Sequence, residues 1–326
     1  MIITIFRSSI GADERHIFLY MERKHIKYVN FNDIIFFVSK DASYFKRALY
    51  FFTRPIFRLV FNVKILHACV FFEATQLIIF KGILIHPYLI SYLSRRLRIS
   101  IIYPDLDPSV YGKSYLKMLT RTHRLYYTKP NLIDYYKKLF GDKANLITPL
   151  IDWESAESIG DYNPLIGVLF VGHYSLGKYQ SINNFARRFS GRVTIIGSGW
   201  KSMDFPSSVN CVGEIYDTSL FKYYQSALCA LGFLQENISN DGKGDVITAR
   251  SYNIPYFGGI ILHASNLYIR DVYKNNQNYL FDSLDDLLQK IYYLQNNLNQ
   301  RNMIHKDQVN ILKMSSTKIS KIFDNE

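Results

Sequence analysis

The stretch Asp245–Leu262, DVITARSYNIPYFGGIIL, sets Asp, Thr and Arg at the start of what reads as a helix. Pro255, the pair Gly258-Gly259 and an apolar strand follow. Polar groups near a helix N-terminus suit a phosphate, because backbone N–H groups and the helix dipole favour negative charge there. Arg250 brings five fixed donors that match a diphosphate, and Thr248 adds a hydroxyl on the same side. A surface arginine paired with Asp241 or Asp245 would read the same way. Lys178 is a second candidate diphosphate contact, or an ordinary solvated lysine at a helix start. His173 is a candidate base or sugar contact, or a histidine satisfied within the structure.

Each strand end in the second half carries a glycine or polar cluster. These are Gly172-His173-Tyr174-Ser175, Gly197-Ser198-Gly199-Trp200, Gly213-Glu214-Ile215-Tyr216 and Asn237–Gly244. Glycine at a strand-to-helix turn permits positive φ and close approach of a ligand to the backbone. Any open α/β sheet needs glycine in its turns, but four such clusters in register make Gly172, Gly199, Trp200 and Gly213 candidate ligand-binding positions. In the first half, Asp105 and Asp107 of YPDLDP stand past a strand terminus. They are too close together for a glycosidase pair. Asp-x-Asp can hold a divalent cation, yet turn chemistry before Pro108 is the simpler reading, and no metal is expected. Clustered His/Cys for zinc is absent, as are GxxxxGK[ST] and GxGxxG.

The elements that must position these residues alternate along the chain. Strands are expected at Ile2–Phe6, Asp33–Val38, Gln76–Phe80, Ile99–Tyr103, Leu125–Thr128 and Asn145–Thr148, with helices at Asp13–Lys24, Pro87–Arg96, Tyr115–Thr120 and Leu132–Phe140. After a polar linker at Trp153–Pro164, strands recur at Gly167–Val171, Val193–Gly197, Val209–Val212 and Ala227–Gly232. Helices fall at Ser181–Phe189, Leu267–Lys274 and Leu284–Gln295, and the tail Gln300–Ile322 reads as helical. The class is α/β, with parallel sheets covered on both faces. A first doubly wound domain would span 1–152 and a second 165–300, with a tail 301–326 packing back on the first. Ligands of such folds bind at the carboxyl ends of strands, here in a cleft facing both domains.

Composition agrees with packed domains: 326 residues and 48% hydrophobic content. The net charge of +12 is uneven. Residues 1–150 hold 23 Lys and Arg against 10 Asp and Glu, a net of +13, and the remainder holds 16 against 17, a net of −1. The first half therefore suits an anionic partner. Within it, FKRALYFFTRPIFRLVFNVK (Phe45–Lys64) interleaves aromatic and basic residues, as a segment lying in a membrane interface does; a core helix with solvated basic ends would look similar. Cys69, Cys211 and Cys229 lack paired or metal-like spacing and read as reduced thiols of a cytoplasmic protein. MIITIFRSSIG reads as a first buried strand rather than a signal peptide, and no apolar run is long enough for a transmembrane helix.

The chain resembles GT-B glycosyltransferases, in the spore-maturation-protein-like branch related to group 1 glycosyl transferases, over about residues 75–295. The likeness rests on LIIFKG (77–82), IIYPDLDP (101–108), YYTKP (126–130), LFVG (169–172), GSGW (197–200), Gly213 with YQSA (224–227), and DVITARSYNIPYFGG. The resemblance implies two Rossmann-like domains, with a nucleotide-sugar held by the second and an acceptor by the first. It adds Tyr252 and Asn253 to the donor-binding set; Asn253 stands where the family has a glutamate near the donor's sugar or ribose, so hydrogen bonding is kept and charge is lost. The nucleotide-sugar would be a substrate, and no cofactor is expected. The expected acceptor is a glycan or lipid-linked molecule of bacterial surface polysaccharide synthesis, met at the inner membrane face, with no nucleic-acid partner. Asp105, Asp107 and His173 are the candidate catalytic groups. The rivals are a nucleotide-sugar epimerase of the same plan and a non-catalytic sugar- or nucleic-acid-binding protein.

Overall fold

A computed structural model of the chain describes residues 1–6, 12–32, 43–104, 107–147, 150–234 and 246–324. The expected strand Asp33–Val38 and the cluster Asn237–Gly244 with Asp245 lie outside the described residues, as does Asp105. Two compact units are present: Met1–Leu150 with Ile319–Glu326, and Ile151–Lys318.

The first unit runs β1 (Ile2–Ile5), α1 (Ala12–Arg23), β2 (Tyr28–Phe31), α2 (Tyr44–Phe71), β3 (Gln76–Phe80), α3 (Pro87–Leu93), β4 (Arg98–Tyr103), α4 (Lys113–Thr120), β5 (Arg124–Tyr127), α5 (Ile133–Phe140) and β6 (Ala144–Leu146). Its six strands are parallel, in the order β2-β1-β3-β4-β5-β6. Every residue of β3, QLIIF, is buried, as a parallel strand covered on both faces requires. Its side chains divide by alternation. Leu77 and Ile79 join one apolar cluster with Phe61 and Ile65 of α2, while Ile78 and Phe80 join another with Phe18 of α1 and Ile322 of the C-terminus. The last residues are held at the amino ends of these strands: Gln76 Nε2 donates to Ile322 O at 2.7 Å, and the Tyr126 hydroxyl donates to Lys321 O at 2.8 Å.

The second unit runs β7 (Val168–Val171), α6 (Leu176–Arg188), β8 (Val193–Ile196), β9 (Val209–Gly213), α7 (Asp217–Ser226), β10 (Cys229–Gly232), α8 (Arg250–Tyr256), β11 (Ile261–Ala264), α9 (Leu267–Val272), β12 (Leu280–Phe281), α10 (Leu284–Asn296) and α11 (Arg301–Ser315). This sheet is also parallel, in the order β12-β11-β10-β7-β8-β9, so the winding direction reverses between β7 and β10. The polar stretch 153–164 runs along this unit, where Trp153 is buried and its indole N–H donates to Ser316 Oγ at 2.5 Å. Helix α11 is anchored by buried polar groups rather than by apolar area alone. Arg301 donates to the carbonyls of Gly160, Gln225 and Ala227, and Gln308 bonds both the N–H and the C=O of Ile261.

The three cysteines are free thiols. Burial pushes Cys69 up to about 11 and Cys229 up to about 12, so neither carries thiolate at neutral pH. Among the described residues no helix is long and apolar enough to cross a membrane.

Candidate functional site

Three of the polar turns predicted from sequence come together at the carboxyl ends of β7, β8 and β9. Arg250 opens α8 and turns back onto the sheet: Nη1 donates to Val171 O at 2.7 Å and Nη2 to Phe233 O at 3.1 Å. Its guanidinium lies over the Phe170 ring, 5.0 Å from the centroid. Val171 ends β7 and Phe233 follows β10, so this arginine bridges the two strands between which the winding reverses. Ligands of open α/β sheets bind at that point.

Two glycines let the neighbouring turns close. Gly197, at φ +143, would bring a Cβ to within 2.1 Å of Gly172 O. Gly172 itself, at φ +155, has Arg250 Nη1 3.1 Å from where a Cβ would stand. Only glycine lets the ends of β7 and β8 approach this closely. Gly197 N donates to Gly213 O at 2.8 Å, which brings Gly213 and the end of β9 into the same rim.

Trp200 is buried beneath this rim, in edge contact with Phe170 and Tyr174, and its indole N–H donates to Gly172 O at 2.7 Å. Its ring props the β7 turn from inside and does not face solvent. Gly199 approaches Tyr174, with a notional Cβ 2.8 Å from that side chain's Cβ. Lys178 lies inside α6, which starts at Leu176, five residues earlier than the sequence predicts. It is buried, and its ammonium donates to His173 O at 3.2 Å.

His173 is exposed on the rim, with Nδ1 2.6 Å from Ser198 Oγ and 3.8 Å from Glu214 Oε1. Ser198 and Glu214 were legible only as members of their turn clusters; the structure brings both to the one imidazole. Thr248 is half-buried and precedes α8, where Ser251 N donates to its carbonyl at 3.0 Å. Tyr252 and Asn253 are buried within α8.

Behind the rim sits a residue that sequence reasoning passed over. His263, in β11, is fully buried. Its Nδ1 donates to Ala264 O at 2.8 Å, so Nε2 accepts from the Ser251 hydroxyl at 2.9 Å. Burial pushes this imidazole down to about 4, with Arg250 adding to the effect against the opposing backbone hydrogen bond. The neutral ring fixes α8 to the sheet, one residue from Arg250.

Asp107, in the other unit, caps the turn at Pro108–Tyr111. Its carboxylate accepts from Ser109 N at 2.8 Å, Ser109 Oγ at 2.7 Å and the Tyr135 hydroxyl at 2.8 Å. Burial, reinforced by this carboxylate, holds the Tyr135 phenol up at about 12. Among the described residues no group of His, Cys, Asp or Glu is arranged to hold a metal. A cavity of about 590 Å³ in the second unit is lined by Ile260, Gln277 and Tyr279, which precede β11 and β12, away from the strand ends that carry Arg250.

Residues 180–317 match the family described as glycosyl transferase-like. The matched residues fall within the second unit. The whole chain has the GT-B fold, two parallel α/β sheets as in solved glycosyltransferases. An α-glucosyltransferase in complex with UDP-glucose and DNA containing an abasic site is similar at TM-score 0.64 and 9% identity, covering 98% of this chain and 96% of that one. A sucrose-phosphate synthase from Thermosynechococcus elongatus is similar at TM-score 0.61 and 12% identity, covering 97% and 94%. A Listeria monocytogenes structure described as a UDP-N-acetylglucosamine 2-epimerase is similar at TM-score 0.55 and 8% identity, covering 100% and 97%. No curated protein sequence matches the chain significantly. The glycosyl transferase-like match does not single out the spore-maturation-protein-like branch.

Proposed function

We propose that the protein transfers a sugar from a nucleotide-sugar to an acceptor, with the donor at the carboxyl ends of β7–β10. The observation that carries this reading is the Arg250 guanidinium bridging β7 and β10 beside a rim of closely packed turns. Arg250, Lys178 and Thr248 would neutralise the leaving diphosphate, a role a metal ion fills in other folds. Gly172, Gly199 and Gly213 would admit the phosphates or sugar to the backbone, with Trp200 holding the turn from below. Tyr252 and Asn253 complete the proposed donor set from α8. His173, with Ser198 and Glu214 beside it, would contact the sugar or move a proton. In the basic first unit, Asp105 and Asp107 are the candidate bases for an acceptor hydroxyl. The acceptor is a glycan or lipid-linked molecule of surface polysaccharide synthesis, met at the cytoplasmic face of an anionic membrane.

The test is thermal melting of the protein against UDP-, GDP-, dTDP- and CMP-compounds, alongside Arg250→Ala. One nucleotide raising the wild-type Tm but not that of the variant supports the donor site and names the base. No response to any nucleotide overturns the reading. Incubation with the responding nucleotide-sugar separates the rivals: transfer or release of nucleotide fits a transferase, and an epimerised sugar fits the epimerase. A steep loss of DNA binding with salt, without nucleotide response, fits the nucleic-acid-binding rival.

A further inference from the structure

Helix α2 is apolar on two faces. Phe61, Ile65, Ala68 and Cys69 enter the core of the first unit. A second stripe, Phe45, Leu49, Phe52, Ile56, Leu59 and Val63, recurs at spacings of three and four, so it forms one line along the helix. These six side chains are 53–76% exposed. A bare apolar face of this length on a folded unit marks an interaction surface. The 28 residues of the helix contain five Lys or Arg and no Asp or Glu.

Beside the stripe is a cavity of about 420 Å³ lined by Arg54, Pro55, Arg58, Leu59, Asn62 and His86. Its walls are fixed. Arg58 donates from Nε to Leu84 O at 3.2 Å and from Nη2 to Ile85 O at 2.9 Å. Asn62 donates to Leu84 O at 2.9 Å and accepts from His86 N at 2.8 Å. Among the described residues no carboxylate lines the cavity. The cations press on one another: Arg58 is lowered by burial and then by Arg54, and His86 by burial and then by Arg58 and Arg121. A bound anion would relieve both.

We propose that α2 lies in the surface of an anionic bilayer and that this cavity seats the phosphate of a lipid headgroup. Leu59 belongs both to the cavity and to the stripe, so the site offers cations to a phosphate and an apolar line to acyl chains in one continuous surface. A free phosphate would use the cavity and leave the stripe bare. A second copy of the chain would cover the stripe but set five cations of one helix against the same five of the other. The helix lies in the interface and does not span it. The inference deepens the membrane side of the proposed function and does not depend on the donor site.

The test is flotation of the full chain with vesicles of phosphatidylcholine alone or rich in phosphatidylglycerol. The expected result is binding to the phosphatidylglycerol vesicles only. Phe52→Ser should weaken it about tenfold or more. Arg54→Gln should weaken it at least about tenfold, and Lys64→Gln, an equal charge change outside the cavity, about fivefold or less. Equal binding to both vesicles, or equal losses in Arg54→Gln and Lys64→Gln, would overturn the headgroup site. A dimer in solution that Phe52→Ser dissociates, or stabilisation by inorganic phosphate with no flotation, would overturn the bilayer as occupant. The nucleotide melting shift is read on the same samples. Flotation lost with that shift intact sinks only this inference, and the converse sinks only the donor reading.

Discussion

Arg250 Nη1 reaches the carbonyl of Val171, 79 residues earlier in the chain, at 2.7 Å. The bond ties the first residue of α8 to the last residue of β7, and the second nitrogen ties it to the end of β10. One guanidinium therefore holds together the two strands at which the sheet changes direction, at the proposed donor site.

Arg250→Lys separates these tasks. An ammonium keeps the charge but cannot fork to two carbonyls. Losing one such bond should cost about 1–3 kcal/mol, which lowers the Tm of the apo protein by roughly 2–4 °C per kcal/mol. The nucleotide-induced shift should shrink as well. An unchanged apo melt would show that the carbonyl bridge does not matter to stability.

Gly197→Ala should unfold the second unit or leave it unable to respond to nucleotide, because its Cβ would stand 2.1 Å from Gly172 O. Gly112 offers the control: it has φ +85 and, among the described residues, nothing within 4 Å of a notional Cβ. Gly112→Ala should cost only backbone strain, about 1–3 kcal/mol. Circular dichroism melts of both variants decide the matter, and similar losses would refute the close-approach argument.

Trp200→Phe removes one N–H while keeping an aromatic ring. Gly172 O then loses its indole donor, at a cost of about 1–3 kcal/mol. If the indole positions the donor turn, the KM for the nucleotide-sugar should rise while kcat changes little. A fall in kcat with KM unchanged would instead place Trp200 in the chemistry.

His263 makes stability depend on pH. Its folded pKa is pushed down to about 4, while an unfolded histidine titrates near 6.5. Between these values the unfolded chain binds a proton that the folded one refuses, so stability falls as pH drops through the window. The loss is absent above about pH 6.5 and reaches about 3 kcal/mol near pH 4. His305 is lowered by burial too and acts in the same direction. His263→Gln should flatten the Tm profile over this window, and a profile as steep as wild type would assign the effect elsewhere.

Asp107→Asn tests the carboxylate in the first unit. The amide oxygen can still accept from Ser109 and Tyr135, so the melt should stay within about 1 kcal/mol of wild type. If Asp107 is the base, kcat/KM should fall about 100- to 10,000-fold. Wild-type turnover would leave it as a cap.

The parallel sheets were legible because a strand buried on both faces reads as an apolar run, as in residues 77–80 and Val168–Val171. Strand β2, YVNF, escaped notice: it is short, at the sheet edge and only partly buried, so it has neither an apolar run nor clean alternation. Arg250 stood out by residue type and place. Its acceptors did not, since a carbonyl at Val171 or Phe233 leaves no mark in the residue pattern. Trp200 was readable as a rim residue but not as a buried prop, because local spacing does not tell which way an indole points. His263 lay inside an apolar strand with nothing nearby to mark Ser251 as its partner.

The second unit is one continuous stretch of chain, but the first is not: its final residues arrive only after the second unit has been completed. A protease that nicked the exposed, polar run near residue 161 would leave Ile319–Phe323 as a splint on the amino ends of β3, β4 and β5, held through Gln76 and Tyr126. The two products should co-migrate under native conditions and part only in denaturant. A fragment ending at Leu150 would lack that splint, exposing Ile78 and Gln76, and should be poorly soluble where the nicked whole is not.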